Sequence, residues 1–354
     1  MRFFMPAEWA PHRATWLAWP HETKDWPGKF GAIPWIMAEF VRHLSAVEPV
    51  RLLVEDRVLE EKTRAMLRRA AVDLERVTIH CVRTDRSWLR DSAPTFVIAE
   101  GGERRAVCWR FNAWAKYDNW KKDVKVSGAI ARLAEVQAVT PEANGQRVVL
   151  EGGAIDVDGE GTLICTEECL LSDVQARNPD LGRAGVEAVF REHLGIEKVL
   201  WLGEGIAGDD THGHVDDLCR FVSPGRVLLC SERNPADANY RALSENHERL
   251  KGMRDAKGRG IEVISLPMPA PLYFDGQRLP ASYANFYIAN GLVLVPTFND
   301  PKDREALGII SECFSDRRVV GIHAVDLVWG FGTLHCLSQQ EPDSRPLEQK
   351  KGTG

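Results

Sequence analysis

The chain has 354 residues, 44 % of them hydrophobic and 27 % charged, the composition of an ordinary globular protein. Lysine plus arginine number 45 against 51 aspartate plus glutamate, a formal net charge of −6, which argues against a dedicated nucleic-acid binder with its basic surplus. No apolar run approaches the roughly 20 residues of a membrane-spanning helix, and the opening MRFFMPAEWAPHRATW, interrupted by Glu8 and Arg13, does not read as a signal peptide.

From the N-terminus, the stretch to Phe30 is rich in Trp, Pro and His and is expected to be a long ordered loop. Apolar residues at three-to-four spacing then predict amphipathic helices over Arg57–Leu74, Lys125–Ala138, Gly182–Leu194, Ala236–Met253 and Lys302–Phe314. In the third of these, Val186, Val189, Phe190 and His193 form the expected inner face. Four hairpin signals share one form, an apolar strand, a turn with Gly and a second apolar strand: TFVIAEGGERRAVCW, AIDVDGEGTLICT, RFVSPGRVLLC and NFYIANGLVLVP. Their first strands pass through Phe96, Ile155, Phe221 and Tyr287, at intervals of 59, 66 and 66 residues. Short strands are predicted at Arg76–His80, Lys198–Leu202, Ile261–Leu266 and Arg318–Ile322.

A mixed strand–strand–helix–strand unit repeating about every 65 residues points to units packed around an axis. An all-β propeller is disfavoured by the helices, and a dinucleotide-binding sheet by the lack of G-x-G-x-x-G. No low-complexity linker divides the chain, so residues 1–340 are expected to form one domain and 341–354, EPDSRPLEQKKGTG, a loose tail. The eight cysteines, at 81, 108, 165, 169, 219, 230, 313 and 336, include no C-x-x-C pair and do not form a zinc framework. Those in the runs CVR, VCW and LLC read as small buried hydrophobes, and the pattern favours the reducing cytoplasm.

The chemistry lies in what precedes each hairpin. Asp91 stands before the first in Ser-Trp-Leu-Arg-Asp-Ser-Ala-Pro, and Glu151 before the second in Leu-Glu-Gly-Gly. Asp210, His214 and Asp216 precede the third within Gly208–Asp217, and Cys336 follows a Gly-rich run near the end. Rotationally related units would bring these groups to one cavity. Clustered carboxylates are costly unless a cation balances them, and they raise the pKa of a neighbouring thiol. A guanidinium answers both problems: it donates paired hydrogen bonds to carboxylates, and its charge favours a thiolate. The set therefore points to a small cationic guanidino substrate and nucleophilic catalysis.

Each residue also has a plainer reading. Asp91 could pair with Arg90 on a turn, Glu151 could mark a strand entry, and Cys336 could be a core thiol. A rival functional reading makes His212, His214 and Asp216 or Asp217 metal ligands, two apart on one strand face. His335 is discounted as the base for Cys336 because adjacent strand residues point to opposite faces.

These motifs carry a family resemblance. Met5-Pro-Ala-Glu-Trp, Thr15-Trp-Leu-Ala-Trp-Pro, Trp88–Pro94, Phe111-Asn-Ala-Trp, Glu151-Gly-Gly, Gly208–Asp217, Leu266-Pro-Met-Pro, Ala281–Asn290 and His335-Cys-Leu-Ser-Gln-Gln resemble the agmatine deiminases, within the bacterial peptidyl-arginine deiminase-like branch of guanidine-modifying enzymes. The resemblance covers nearly the whole chain. It implies an α/β fold, the five-bladed α/β propeller or pentein, with pseudo-fivefold ββαβ repeats. It implies Cys336 as nucleophile, His214 as base, and Asp91, Glu151 and Asp216 around the guanidinium, with Asp210 and Trp88 as further substrate contacts. No metal and no organic cofactor is expected, nor a nucleic-acid or membrane partner; a homodimer stays open. Deimination of arginine or peptidyl-arginine, amidino transfer, and a non-enzymatic binding propeller are the competing functions. Two departures from the family pattern, Ala93 after Arg-Asp-Ser and Phe331–Thr333 before His335-Cys336, are expected to sit at the pocket wall. Arg90 is the one cation in the motifs that a free arginine's carboxylate could use.

Overall fold

The computed structural model describes residues 2–344. One pattern recurs along them: two antiparallel strands, a helix, and a third strand parallel to the second. It builds three three-stranded sheets, from Asp156–Val157, Thr162–Thr166 and Lys198–Leu202; from Cys219–Ser223, Arg226–Ser231 and Glu262–Pro267; and from Tyr287–Ala289, Leu292–Thr297 and Arg318–His323. A fourth sheet joins Thr95–Ala99, Arg104–Val107 and Gln137–Val139, with Phe3–Phe4 on its edge. The crossover helices are Val126–Leu133, Gly182–Leu194, Asn239–Leu250 and Asp303–Cys313. Burial of one apolar stripe per helix explains them. Gly182–Leu194 buries Val186, Val189, Phe190 and Leu194, so Leu194 rather than His193 completes the inner face. Gly195, at φ 70°, caps that helix in the left-handed conformation.

The fifth sheet corrects the reading of the N-terminus. Residues His12–Ala18 form a strand in place of the expected loop, pairing antiparallel with Ser338–Pro342 and parallel with Val50–Val54, which continues to Val77–Cys81. Its alternation is hidden because six of its seven residues are buried. Ile33–Ser45, also not predicted, is a helix that buries Ile33, Ile36, Met37, Phe40, Val41 and Leu44 at helical spacing. The expected helix from Arg57 ends at Arg69. The expected loose tail is corrected at its start: Glu341 and Pro342 belong to a fully buried strand, Glu341 accepts hydrogen bonds from Trp16 and Arg104, and Asp343 N–H donates to the Pro11 carbonyl at 2.7 Å. Residues 345–354 lie outside the described residues. Of the cysteines read as buried hydrophobes, Cys108 and Cys230 are buried, whereas Cys81 is exposed. Among the described residues no helix is long and apolar enough to cross a membrane.

Each sheet's opening strand matters for the site. It follows a short helical turn at Leu89–Ser92, Gly152–Ala154, Val215–Asp217 and Leu334–Leu337. In the remaining unit the segment before Tyr287 carries Asn285.

Candidate active site

The predicted residues lie on or beside these turns, and the turns meet. A Cβ built on Gly153 would fall 2.5 Å from His214 Nδ1, 3.0 Å from Asp91 Oδ1 and 3.1 Å from Asp216 Oδ2. Only a glycine fits where three units converge. Asp91 accepts from Gly153 N–H at 3.0 Å and from the Trp114 indole at 2.9 Å. Trp114 reaches it from a segment, Ala113–Ala115, whose three residues all have positive φ, a conformation that costs non-glycine residues about 1–2 kcal/mol each. Glu151 is fully buried and takes the Arg177 Nε at 3.2 and 3.3 Å.

His214 is buried, with Nε2 3.6 Å from Glu151 and Nδ1 3.9 Å from Asp91. Neither ring nitrogen has a hydrogen-bond partner. The backbone N–H groups of Gly213 and His214 both donate to Asp209 Oδ2 at 2.8 Å, which holds the loop. His212 points elsewhere, to Ser172 at 3.2 Å and Glu168 at 3.5 Å. His214 and Asp216 therefore converge and His212 does not, because this segment is a loop entering a 3₁₀ turn, not the strand assumed above. Among the described residues, two trios offer metal-type ligand atoms close together: Glu151, Cys169 and His214, and Asp216, Asp217 and Cys336.

Cys336 sits on a helical turn with Sγ 3.9 Å from Asp216 Oδ2. The Asn285 side-chain N–H₂ faces that sulfur at 3.1 Å and Asp217 at 2.9 Å, while its oxygen accepts from Thr333 Oγ1 at 2.7 Å and His335 N–H at 3.1 Å. The strand geometry used to discount His335 does not apply, since it lies on the same turn. Its ring nitrogens contact Asp216 and Glu8.

Burial and charge set the protonation states. Burial, with Asp216 and Glu151 adding, raises Asp91 to about 6 against His214 and Trp114. Burial would likewise raise Glu151, but Arg177 and His214 outweigh it and bring it to about 2. Burial opposes a charged His214, yet Asp91, Cys169 and Glu151 leave it well above its ordinary value. Burial, then Asp216, Asp217 and Asp91, push the Cys336 thiol far up. Without a cation between the carboxylates, the sulfur is a thiol.

Cys336 and Asp91 open onto a cavity of about 450 Å³. Trp88 and Asp210 line it as expected, joined by Trp114, Tyr117, Trp329 and Phe331. Asp210 is paired with Lys116 and Tyr117. Arg90 is absent from the lining: buried, it holds Gln340 at 2.7 Å, the His335 carbonyl at 3.3 Å and Glu8 at 3.4 Å. Of the departures, Phe331 forms wall, with φ 65°. Ala93 and Thr333 do not reach the lining. Arg177, Trp114 and Asn285 escaped the motif reading; Trp114 and Asn285 stand inside the segments quoted for the resemblance, whereas Arg177 has no local signal.

An agmatine deiminase of Ectopseudomonas mendocina is 39 % identical over 96 % of this chain and 95 % of its own. The solved agmatine deiminase of Enterococcus faecalis superposes with a TM-score of 0.88 at 33 % identity, covering 97 % of this chain and 96 % of the other. DDAH from Pseudomonas aeruginosa, 13 % identical and covering 93 % of this chain and 99 % of its own, superposes at 0.52, which shows the shared α/β, pentein-like fold alone. The model of the Porphyromonas-type peptidyl-arginine deiminases matches residues 4–342, and the chain belongs to that family.

Proposed function

We propose that this protein is a deiminase that hydrolyses the guanidinium group of agmatine to N-carbamoylputrescine and ammonia. The observation that carries the reading is the meeting of Asp91, His214 and Asp216 around Gly153, with Cys336 beside Asp216 at a cavity wall. The guanidinium docks between the carboxylates of Asp91, Glu151 and Asp216, and its charge favours loss of the Cys336 proton to solvent water, His214 already carrying the proton it will deliver. The thiolate sulfur bonds to the guanidinium carbon. The carbon–nitrogen bond to the leaving group breaks as His214 delivers a proton, and ammonia departs. An amidino thioether remains on Cys336. His214 then takes a proton from water, whose oxygen bonds to the same carbon. The carbon–sulfur bond breaks, releasing the ureido product and the free cysteine. Two modest barriers replace one high one, and a histidine serves as acid and then base.

Agmatine is favoured over arginine by the charges of the cavity. Its lining carries Glu22, Asp25, Asp91 and Asp210 against Lys24 and Arg86; Arg86 pairs with Asp25 at 3.0 Å and Asp210 with Lys116, which leaves Glu22 and Asp91 against Lys24. That balance suits a second positive charge on the substrate better than an α-carboxylate. Trp88 packs along the aliphatic stem, and Asp210 stands near the far end. The five sheets are five blades of a propeller whose opening turns face its axis, the chain through the buried strand Ser338–Pro342 forms the single catalytic domain, and the protein works in the cytoplasm without a metal or organic cofactor. Ammonia release from agmatine, arginine and a C-terminal arginyl peptide, measured side by side in one buffer, tests the assignment. Agmatine should give the highest kcat/KM; a tenfold advantage for arginine or the peptide, about 1.4 kcal/mol, would reassign the substrate.

A further inference from the structure

Two buried groups are left over from this chemistry: Glu8, from the Met5-Pro-Ala-Glu-Trp run, and His335, beside the nucleophile. His335 Nδ1 lies 2.6 Å from Asp216 Oδ2, and Nε2 lies 2.7 Å from Glu8 Oε2. Both partners are acceptors, so each bond needs an N–H from the ring. Glu8 is anchored in turn. Its Oε1 accepts from Ile288 N–H at 2.8 Å and lies 3.1 Å from Arg220 Nη2, and its Oε2 accepts from Arg90 at 3.4 Å. Arg220 also lies 3.5 Å from Asp156 and donates to the carbonyls of Ala284 and Phe286 at 3.2 and 2.8 Å. The imidazole cannot turn without leaving two buried carboxylates short of a partner, which is strongly disfavoured.

The two oxygens of Asp216 differ. Oδ2 is occupied by His335 at 2.6 Å and also accepts from the Asn285 side-chain N–H₂ at 3.4 Å, whereas Oδ1 is buried and has no hydrogen-bond partner. The carboxylate is thus anchored through one oxygen from two sides, and its second oxygen stays open for a ligand. We propose that His335 is a positioning residue for this reaction: braced by Glu8 on one nitrogen, it holds Asp216 through Oδ2 and leaves Oδ1 for the guanidinium. This rests on the deiminase reading above. Burial by itself would raise Asp216, but the His335 bond and charge bring it below its ordinary value. The arrangement gives the N-terminal motif a part in the site although it is far from Cys336 in sequence. It also separates His335 from His214, whose ring nitrogens are free to move protons.

The test is a double-mutant cycle read as kcat/KM for agmatine, or for arginine should the wild type prefer it. An Asn side-chain N–H₂ can stand in for Nδ1 and a Gln for Nε2, so His335→Asn keeps the Asp216 bond and His335→Gln loses it. His335→Gln should lower kcat/KM by about tenfold to a hundredfold, and His335→Asn by less than about threefold. On an Asp216→Asn background, His335→Gln should add less than about twofold, because partners in one interaction are not additive. Equal losses in the two His335 variants, or full multiplication of the Gln effect on the Asp216→Asn background, would overturn the proposal and leave His335 a packing residue. If the His335 variants lack a cooperative thermal transition, the isosteric Glu8→Gln decides. Its loss of about threefold to tenfold should likewise vanish with Asp216→Asn, and persistence would overturn the proposal. A wild type inactive on every guanidino substrate would refute the deiminase reading instead.

Discussion

The floor of the cavity and its mouth are built differently. At the floor, Asp91 and Cys336 line the cavity, with His214 3.9 Å from Asp91, Glu151 3.6 Å from His214 and Asp216 3.9 Å from Cys336 behind them; all five are buried, and the three acids are held by the protein itself, through Trp114, Arg177 and His335. The groups assigned to proton transfer and attack are held more loosely: both His214 nitrogens lack partners, and the Cys336 sulfur contacts Asn285 at 3.1 Å and Asp216 at 3.9 Å. At the mouth the wall is aromatic and half-buried, with Tyr117, Phe274, Trp329 and Phe331, and Phe274 lies against Trp329 with ring centroids 3.8 Å apart. A rigid acidic floor suits one reaction on one functional group. A wall of half-buried rings can vary without disturbing it, and Phe331, a departure from the family pattern, falls there. Chemistry and selectivity are thus separable in this molecule.

The sharpest way to break that division is at the nucleophile. Cys336→Ser should cut turnover by more than about a thousandfold while substrate binding and the thermal transition persist; a serine variant that still turns over would end the covalent mechanism. Next come the charges of the floor. Asp91→Asn and Glu151→Gln each remove a charge-assisted hydrogen bond to a buried cation and should lower kcat/KM tenfold to a few hundredfold, whereas equal losses from exposed acids elsewhere would deny the floor its special role.

Glu151 also makes a pH prediction. Its folded value of about 2 lies below the ordinary 4.5, so it contributes stability that is present above pH 4.5 and is lost as pH falls toward 2. The stability difference between the wild type and Glu151→Gln, from urea unfolding, should therefore shrink by about 2 kcal/mol between pH 5 and pH 3. A pH-independent difference would mean that the Arg177 pair does not act electrostatically.

At the mouth, Phe331→Gly should change the ratio of agmatine to arginine kcat/KM by up to about tenfold with kcat for agmatine little altered. A collapse of kcat would place Phe331 with the floor. The smallest effect is expected from prolonged dialysis against a strong chelator, which should leave activity unchanged. Loss with recovery on adding zinc would point to the Glu151, Cys169 and His214 trio as ligands.

Much of this was legible in the residue order, for local reasons. Period-two apolar runs broken by glycine turns mark hairpins, and three-to-four spacing marks four of the crossover helices, since each pattern is set by the geometry of one element. The positions of Asp91, Glu151, His214 and Asp216 stood out because each precedes a hairpin, and Cys336 because it follows a terminal Gly-rich run; repetition implies superposition. Even the missed helix Ile33–Ser45 had a readable apolar stripe.

What only the tertiary structure decided depends on contacts between distant parts of the chain. His12–Ala18 is a strand because it pairs with Ser338–Pro342 from the other end; buried on nearly every side, it shows no alternation to read. Arg177 finds Glu151, and Glu8 finds His335 across 327 residues, because a buried charge must be partnered wherever the fold brings a partner within reach. The strand geometry used to discount His335 as base fails because side-chain direction follows the local backbone, and a single helical turn at Leu334–Leu337 replaces the strand that alternation presumes. Sequence alone determined the repeating elements and the reactive groups they carry. Their partners, which set charge and orientation, arose only when the turns that open the sheets came together.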